Sequence, residues 1–379
     1  MDFELTDEQR MIRDMAREFA SEVLAPQAAL IDETEEYPFK TLKQMGELGL
    51  MGIDVPEEYG GIGADTISYV LAVEEVSKAC AATGAIMSVQ NSLVCHGLVH
   101  YGTEEQKEKY LRPAASFEKI GAFGLSEPQA GSDAANQRTM AVRQGDEYIV
   151  NGSKNFVTNG GVADFVVLFV RTDPTQRYKG ISCLLVDTDT PGFSHGKPEK
   201  KLGIRASDTT TLTLEDCHVP VANRLGEEGE GFKIAMDSLD AGRIGIGAQA
   251  LGIAQAAFEA SVKYAQEREQ FGRPISHFQA IQWMIADMAT RIEAARLLLF
   301  QAALKKNRGE RYAREVAMAK LYASETAMWA ATKAIQVHGG YGYMKEYPVE
   351  RYFRDAKITE IYEGTSEVQR LVIAHHELS

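Results

Sequence analysis

Apolar residues recur at helical spacing at both ends of the chain and at alternate positions in its middle. Near the start, Met11, Met15 and Phe19 are four apart, with Ile12 and Val23 widening the stripe. Thr6-Asp7-Glu8-Gln9 reads as a capping box for this helix, and Pro26 as its stop. Phe39, Leu42, Met45 and Leu48 share one face of a second helix, and Gly60-Gly61-Ile62-Gly63 breaks the pattern. Further helices are expected around 67–80 and 86–101. Another capping box, Thr103-Glu104-Glu105-Gln106, opens a helix that Pro113 should end. The period then changes. Ile149-Val150, Val166–Val170, Leu184–Val186 and Thr209–Leu214 are short β-rich runs bounded by turn residues. Gln144-Gly145-Asp146-Glu147 predicts a hairpin turn. After residue 228 the helical period returns. Phe278, Ile281, Ile285, Met288, Ile292, Ala295 and Leu299 form a stripe over six turns, and a similar stretch runs from Tyr312 to about Val337.

The pattern predicts a mainly α protein with a middle β domain. Residues 1–118 form an N-terminal helical domain, 119–228 a small β barrel or sheet, and 229–379 a C-terminal four-helix bundle. The 379 residues suffice for such an arrangement, and 45% hydrophobic with 25% charged residues is ordinary for a globular chain. A net charge of −14 argues against nucleic acid or an anionic membrane surface as partner. Cys80, Cys95, Cys183 and Cys217 form no C-x-x-C pair and have no metal-ligand spacing, so four reduced thiols and no metal are expected. The acidic opening M-D-F-E-L-T-D-E carries no basic leader pattern, and no apolar run reaches membrane-spanning length. A cytoplasmic protein is expected, or a mature mitochondrial matrix form in a eukaryote.

Gly245-Ile246-Gly247-Ala248-Gln249-Ala250 imitates a dinucleotide fingerprint, but no strand precedes it, and close helix packing is the better account. Other stretches carry more chemistry. F-G-L-S-E-P-Q-A-G-S-D (123–133) offers small residues and free backbone donors, as a ligand loop or a plain polar loop would. In K-N-F-V-T-N-G-G (154–161), Phe156 and Thr158 alternate and can share a strand face. Arg268 stands at a helix end before Phe271-Gly272 and Pro274. Gln336-Val337-His338-Gly339-Gly340 closes a helix, as a C-cap or as a place for close ligand approach. Near the end, Tyr362-Glu363-Gly364-Thr365 sets a carboxylate beside a glycine and a helix N-cap. That suits a general base, and equally an exposed loop carboxylate.

In this order and spacing the chain resembles the acyl-CoA dehydrogenase family over nearly its whole length. The motifs are G-A-F-G-L-S-E-P-Q-A-G-S-D (121–133), N-G-S-K-N-F-V-T-N-G-G (151–161), R-E-Q-F-G-R-P (268–274), Q-V-H-G-G-Y-G (336–342) and I-Y-E-G-T-S-E-V-Q-R (361–370). The resemblance implies FAD as cofactor, an acyl-CoA substrate, an electron-transferring flavoprotein as acceptor, and a homo-oligomer, usually a tetramer, of the kind used in fatty acid β-oxidation. Glu363 then matches the base that takes the α proton while the β hydride goes to the flavin. Its backbone N–H is one expected donor to the thioester carbonyl. Phe123, Leu125, Ser126, Phe156 and Thr158 match isoalloxazine contacts, with Phe and Ser at 156 and 126 where many relatives have Trp and Thr. Ser132 matches a flavin-pyrophosphate or CoA contact. Arg268, Phe271, Gln279, Gln336, Gly339 and Gly340 match segments that reach FAD from a neighbouring subunit, and Thr365 and Glu367 its adenosine side. Asp240 and Arg243 match CoA contacts, and Gly364 lies beside the substrate. The position of the base is that of short-chain members. Ile86 and Met87, in the segment resembling the acyl-pocket floor, would shorten that pocket. Branched or alicyclic (cyclohexanecarbonyl) short acyl groups stay open. S-V-Q-N-S-L-V (88–94) is similar to glutaryl-CoA dehydrogenases, but Gly84 stands where their carboxylate-binding arginine is expected. An acyl-CoA oxidase, or a non-enzymatic acyl-CoA-binding scaffold on the same fold, ranks lower. No extra C-terminal domain is seen, and Glu363 and the flavin motifs are retained.

Overall fold

A computed structural model describes residues 4–379; the first three residues of the acidic opening lie outside it. Helix α1 (Asp7–Phe19) is capped as expected. Gln9 N donates to Thr6 Oγ1 at 3.2 Å and Thr6 N to Gln9 Oε1 at 3.0 Å. Its buried face is the expected one except at Met11. Ile12, Ala16 and Phe19 are buried, whereas Met11 is 67% exposed. Met15 and Val23 are partly buried and pack against the same core, so only the first member of the four-residue repeat stands clear of it. In helix Phe39–Glu47 only the middle of the expected face, Leu42 and Met45, is enclosed.

Pro26 does not end the first helical run. A π turn (Ala20–Leu24) and a 3-10 turn (Ala25–Gln27) carry the chain on into Ala28–Thr34. Pro113 likewise opens the last turn, Arg112–Ala115, after a π turn over Lys107–Leu111. In both places the proline sits in the first turn of a new segment, where its missing N–H has no partner to lose. Helix α2 (Thr66–Ala79) is buried almost all round, and an extended Cys80 separates it from α3 (Ala81–Ser88). From α3 the chain runs through a π segment, Val89–Cys95, into His96–Tyr101.

The middle of the chain is one mixed sheet. Its strands are β1 (Gly121–Gly124), β2 (Met140–Gln144), β3 (Glu147–Thr158), β4 (Phe165–Arg171), β5 (Ile181–Asp187), β6 (Phe193–His195), β7 (Thr209–Pro220) and β8 (Arg224–Leu225). They lie in the order β6-β7-β3-β2-β4-β5-β8, with β1 parallel to β4. The β2–β3 hairpin turns where expected, pairing Gln144 with Glu147 around Gly145 at φ +62°. Strand β4 explains why its sequence is apolar without alternation. Phe165, Val167 and Phe169 pack with Leu93, Val94 and Tyr110 of the helical layer, while Val166, Leu168 and Val170 pack with Val150, Leu212 and Leu214 of the sheet. One strand supplies two cores, so both of its faces are buried.

Between β1 and β3 the sheet hides an ion pair. Lys154 Nζ, fully enclosed, donates to Glu127 Oε1 (2.8 Å), Gln137 Oε1 (2.8 Å) and Leu125 O (3.2 Å). Burial alone would raise the Glu127 carboxyl. Lys154 and the N–H groups of Thr139 and Arg138 outweigh it and bring Glu127 down to about 2. Removing one partner of such a pair strands the other charge. Glu127→Ala is therefore expected to cost about 3–5 kcal/mol in urea unfolding, more than its own few side-chain contacts would suggest.

The C-terminal part contains α4 (Gly231–Glu267), α5 (Gln279–Asn307), α6 (Ala313–His338), α7 (Val349–Thr359) and α8 (Ser366–Leu378). The expected α5 stripe is buried from Met288 through Ile292, Ala295 and Leu299; its first part is half-buried and Trp283 beside it is 63% exposed. The dinucleotide look-alike lies in mid α4, where a Cβ at Gly245 would strike Tyr69 and Ser88, and one at Gly247 would strike Leu299. These glycines set helix packing. Among the described residues no helix is long and apolar enough to cross a membrane.

Candidate active site

Glu363 lies in the link between α7 and α8. The link is tight because α8 is capped at once: Val368 N donates to Thr365 Oγ1 at 3.3 Å, and Ser366 N donates back to Glu360 O at 3.0 Å. Two successive residues take left-handed backbone, Glu363 at φ +53° and Gly364 at φ +97°. Such a conformation costs a non-glycine residue about 1–3 kcal/mol unless its surroundings fix it. Three buried donors do so. Arg243 Nε donates to Glu363 O (3.2 Å), Lys320 Nζ to Gly364 O (2.7 Å) and Gln369 Nε2 to Gly364 O (2.9 Å). With both carbonyls turned inward, no acceptor among the described residues takes the Glu363 N–H. It is free to meet a ligand oxygen.

One oxygen of the carboxyl is enclosed, though the residue as a whole is half-buried. Glu363 Oε2 is buried and has no hydrogen-bond partner. It occupies the space over Gly242 of α4, where a Cβ would collide with it, next to Leu93 of the π segment. Burial pushes Glu363 up, Lys320 and then Arg243 pull it back, and it comes to about 7. A glutamate in that range can exchange a proton at neutral pH. The surrounding wall is partly polar. Tyr69 OH donates to Ser88 Oγ at 3.3 Å, Tyr362 OH donates to Gln249 Oε1, and Gln249 Nε2 donates to Ala81 O at 2.9 Å.

The β-domain residues gather on one local surface. Asn155 N donates to Ser126 O at 2.8 Å, joining the segment after β1 to the end of β3. That brings Phe123, Leu125 and Ser126 beside Phe156 and Thr158. Phe156 is 71% exposed with φ +56° and lies within a bulge where β3 gains one residue on β7. The simple alternation expected from sequence is interrupted there, and the bulge, not strand period, sets the direction of the ring. Ser132 is exposed in the following loop.

Other residues fall elsewhere. Arg268, Gly339 and Gly340 line a separate cleft of about 620 Å³ with His338 and Tyr341; the turn holding Glu363 does not line it. Arg268 lies 5.4 Å over the Tyr341 ring, and Phe271, in a small hairpin next to it, is 92% exposed. Gln279 and Gln336 are exposed at helix ends. Asp240 accepts from Arg243 Nη1 at 2.6 Å, and through the Arg243–Glu363 O bond the pair sits against the turn that holds Glu363. Thr365 serves as the cap, and Glu367 is exposed beside it. Ile86 and Met87 are fully buried in α3. Gly242, Leu93, Tyr69, Gln249, Lys320 and Gln369 were not read from the sequence as site residues. Gln369, Leu93 and Gln249 lie inside quoted stretches but were given no site role there, Tyr69, Gly242 and Lys320 lie in none of those stretches, and tertiary packing brings all six to the turn.

FAD fits these residues. The bulge offers an exposed aromatic face beside a hydroxyl, and the second cleft offers a guanidinium and two glycines whose missing Cβ positions open onto free space. Helical parts on either side of a β domain, with a half-buried glutamate whose Oε2 is enclosed and has no partner, suit a flavin-linked dehydrogenase.

The chain belongs to the acyl-CoA dehydrogenase family. The models for the N-terminal, middle and C-terminal domains of acyl-CoA dehydrogenase match residues 6–118, 122–217 and 229–378. It is 57% identical over 374 residues to the short-chain specific acyl-CoA dehydrogenase of Clostridium acetobutylicum, covering 99% of both chains. The structure of butyryl-CoA dehydrogenase from Megasphaera elsdenii superposes with a TM-score of 0.98 at 47% identity, over the whole of both chains. A chain in a structure of the electron transferring flavoprotein of Acidaminococcus fermentans superposes with a TM-score of 0.99 at 55% identity, also over both full lengths.

Proposed function

We propose that the protein oxidises a short-chain acyl-CoA thioester to its trans-2-enoyl-CoA, with Glu363 as the proton-abstracting base. The observation that carries this reading is the buried, unpartnered Glu363 Oε2, poised near neutrality beside a free backbone N–H. Glu363 takes the proton from the α carbon. Its own N–H steadies the charge that develops on the thioester oxygen. Bound FAD would supply the acceptor for the β hydride, with an electron-transferring flavoprotein as the final acceptor of the electrons. Phe123, Leu125, Ser126, Phe156 and Thr158 would hold the ring, and Ser132 a phosphate or the CoA. Arg268, Phe271, Gln279, Gln336, Gly339 and Gly340 would meet the cofactor of a second copy. The exposed Trp283, Leu297 and Phe271 give apolar ground for such copies, so a homotetramer in the cytoplasm, or the matrix of a eukaryote, completes the reading.

Three features favour a short acyl group. Ile86 and Met87 are bulky and fully buried in α3, and the Tyr362–Gln249–Ala81 hydrogen bonds tie α4 to that helix. The protein resembles short-chain specific relatives. A dicarboxylic substrate lacks its anchor, since a Cβ at Gly84 would already strike Ser77 Oγ and no arginine fits there. The test is anaerobic bleaching of the bound flavin by a panel of acyl-CoA thioesters. Butyryl-CoA should be fastest, octanoyl-CoA at least about tenfold worse in kcat/KM, and glutaryl-CoA inert. Slow reoxidation in air separates a dehydrogenase from an oxidase. A colourless protein, or one that no thioester bleaches, would overturn the reading.

A further inference from the structure

Lys320 is enclosed in α6 with no solvent exposure, a place where an ammonium is costly unless paired. Its hydrogen bond goes to a backbone oxygen, Gly364 O at 2.7 Å, and among the described residues no carboxylate lies within ion-pair distance of it. The charges around Glu363 come from four directions. Helix α4 contributes Arg243, which Asp240 neutralises at 2.6 Å. Helix α2 contributes the Tyr69 phenol, held neutral by burial. The turn and the start of α8 contribute the Tyr362 phenol, Glu360, which pairs with Lys357 at 2.6 Å, and Glu367, which is exposed. Helix α6 contributes Lys320. It is the one cation of this set without an anion of its own other than Glu363.

We propose that Lys320 is the positioning residue of the catalytic turn: it clamps the Gly364 carbonyl so that Glu363 stays left-handed, and its ammonium keeps the neighbouring buried carboxyl ionised for proton abstraction. The inference rests on Glu363 being the base. Burial brings Lys320 down to about 8, Glu363 being the first group to oppose that fall; Lys320 in turn is the first to oppose the rise of Glu363. Each therefore supports the charge of the other around neutrality.

The sign of the effect follows. The reaction needs the carboxylate, so the rate of flavin reduction rises with pH through the Glu363 pKa. Without the Lys320 charge that pKa goes up, and the rising limb moves to higher pH. Lys320→Gln keeps a donor for Gly364 O without charge, Lys320→Met removes both, and Lys320→Arg keeps the charge. Stopped-flow anaerobic reduction by butyryl-CoA, from about pH 5 to about pH 10, reads the limb directly. The Gln and Met variants should shift it up by about one unit and slow reduction at pH 7 by about fivefold, while Arg should restore it to within a few tenths. An unmoved limb in both neutral variants overturns the role, because a purely structural lysine would lower FAD content or melting temperature without moving it. Should neither neutral variant fold with FAD, the unaltered holoenzyme decides. A limb near 7 supports the proposal, and one at about 8–9, the level of a buried glutamate without cationic help, overturns it. Failure of the unaltered protein to bleach with any thioester overturns the dehydrogenase reading as well. Bleaching with an unmoved limb overturns Lys320 alone.

Discussion

Glu363→Gln is expected to leave a folded, yellow protein whose flavin acyl-CoA no longer bleaches. The amide has the shape of the carboxylate but cannot accept the proton, and a general base contributes about 10²–10⁴ in rate. Nothing that shapes the turn is lost, since Arg243, Lys320 and Gln369 all bind backbone carbonyls and none binds the Glu363 side chain. Stability gives an independent reading. The folded-state pKa of Glu363, about 7, lies above its ordinary 4.5. A raised pKa contributes stability that is complete below the unfolded value and is lost as pH rises through the folded one. The native protein should therefore lose stability between about pH 4.5 and about pH 7 through this group, and the Gln variant should not. The gap in melting temperature between the two should widen in favour of Gln from acid to neutral pH. Near-normal bleaching by the variant would remove Glu363 as the base, whatever the melting curves show.

Much of this site is written in local sequence, because local chemistry builds it. Thr365 caps α8 in the way a threonine before a helix should, and Gly364 takes a backbone conformation few other residues tolerate. The helical, β and helical layers follow from changes of period, since burial of one face enforces period. Where two layers compete for one element, period fails. Strand β4 has both faces buried and shows no alternation. Prolines 26 and 113 mislead for another reason. A proline forbids a hydrogen bond at its own N–H but does not forbid a helix from starting again there. The least legible residues are those joined only by tertiary structure. Lys320 is 43 positions from Glu363, and Gly242 more than 100, so no spacing rule could link them to it.

Gly242 is the place where that tertiary link can be tested most sharply. In the middle of a helix, glycine is worse than alanine by about 1 kcal/mol, so Gly242→Ala should favour α4 as an isolated helix. The new methyl, however, would enter the space of Glu363 Oε2 and touch Leu93 Cδ2. The turn behind Glu363 is clamped at both carbonyls, so the backbone resists moving. The carboxyl is the far end of a flexible side chain, and it is the part that gives way. The expected result is a protein that melts within a few degrees of the parent, binds FAD normally, and reduces it with butyryl-CoA about 10²-fold more slowly, because a base displaced by about 1 Å loses that much. Unlike Glu363→Gln, this variant keeps an ionisable base, so its residual reduction should still rise with pH. Full activity in Gly242→Ala would mean that the reactive carboxyl does not rest against α4, and that the pocket around the α carbon is built from other walls.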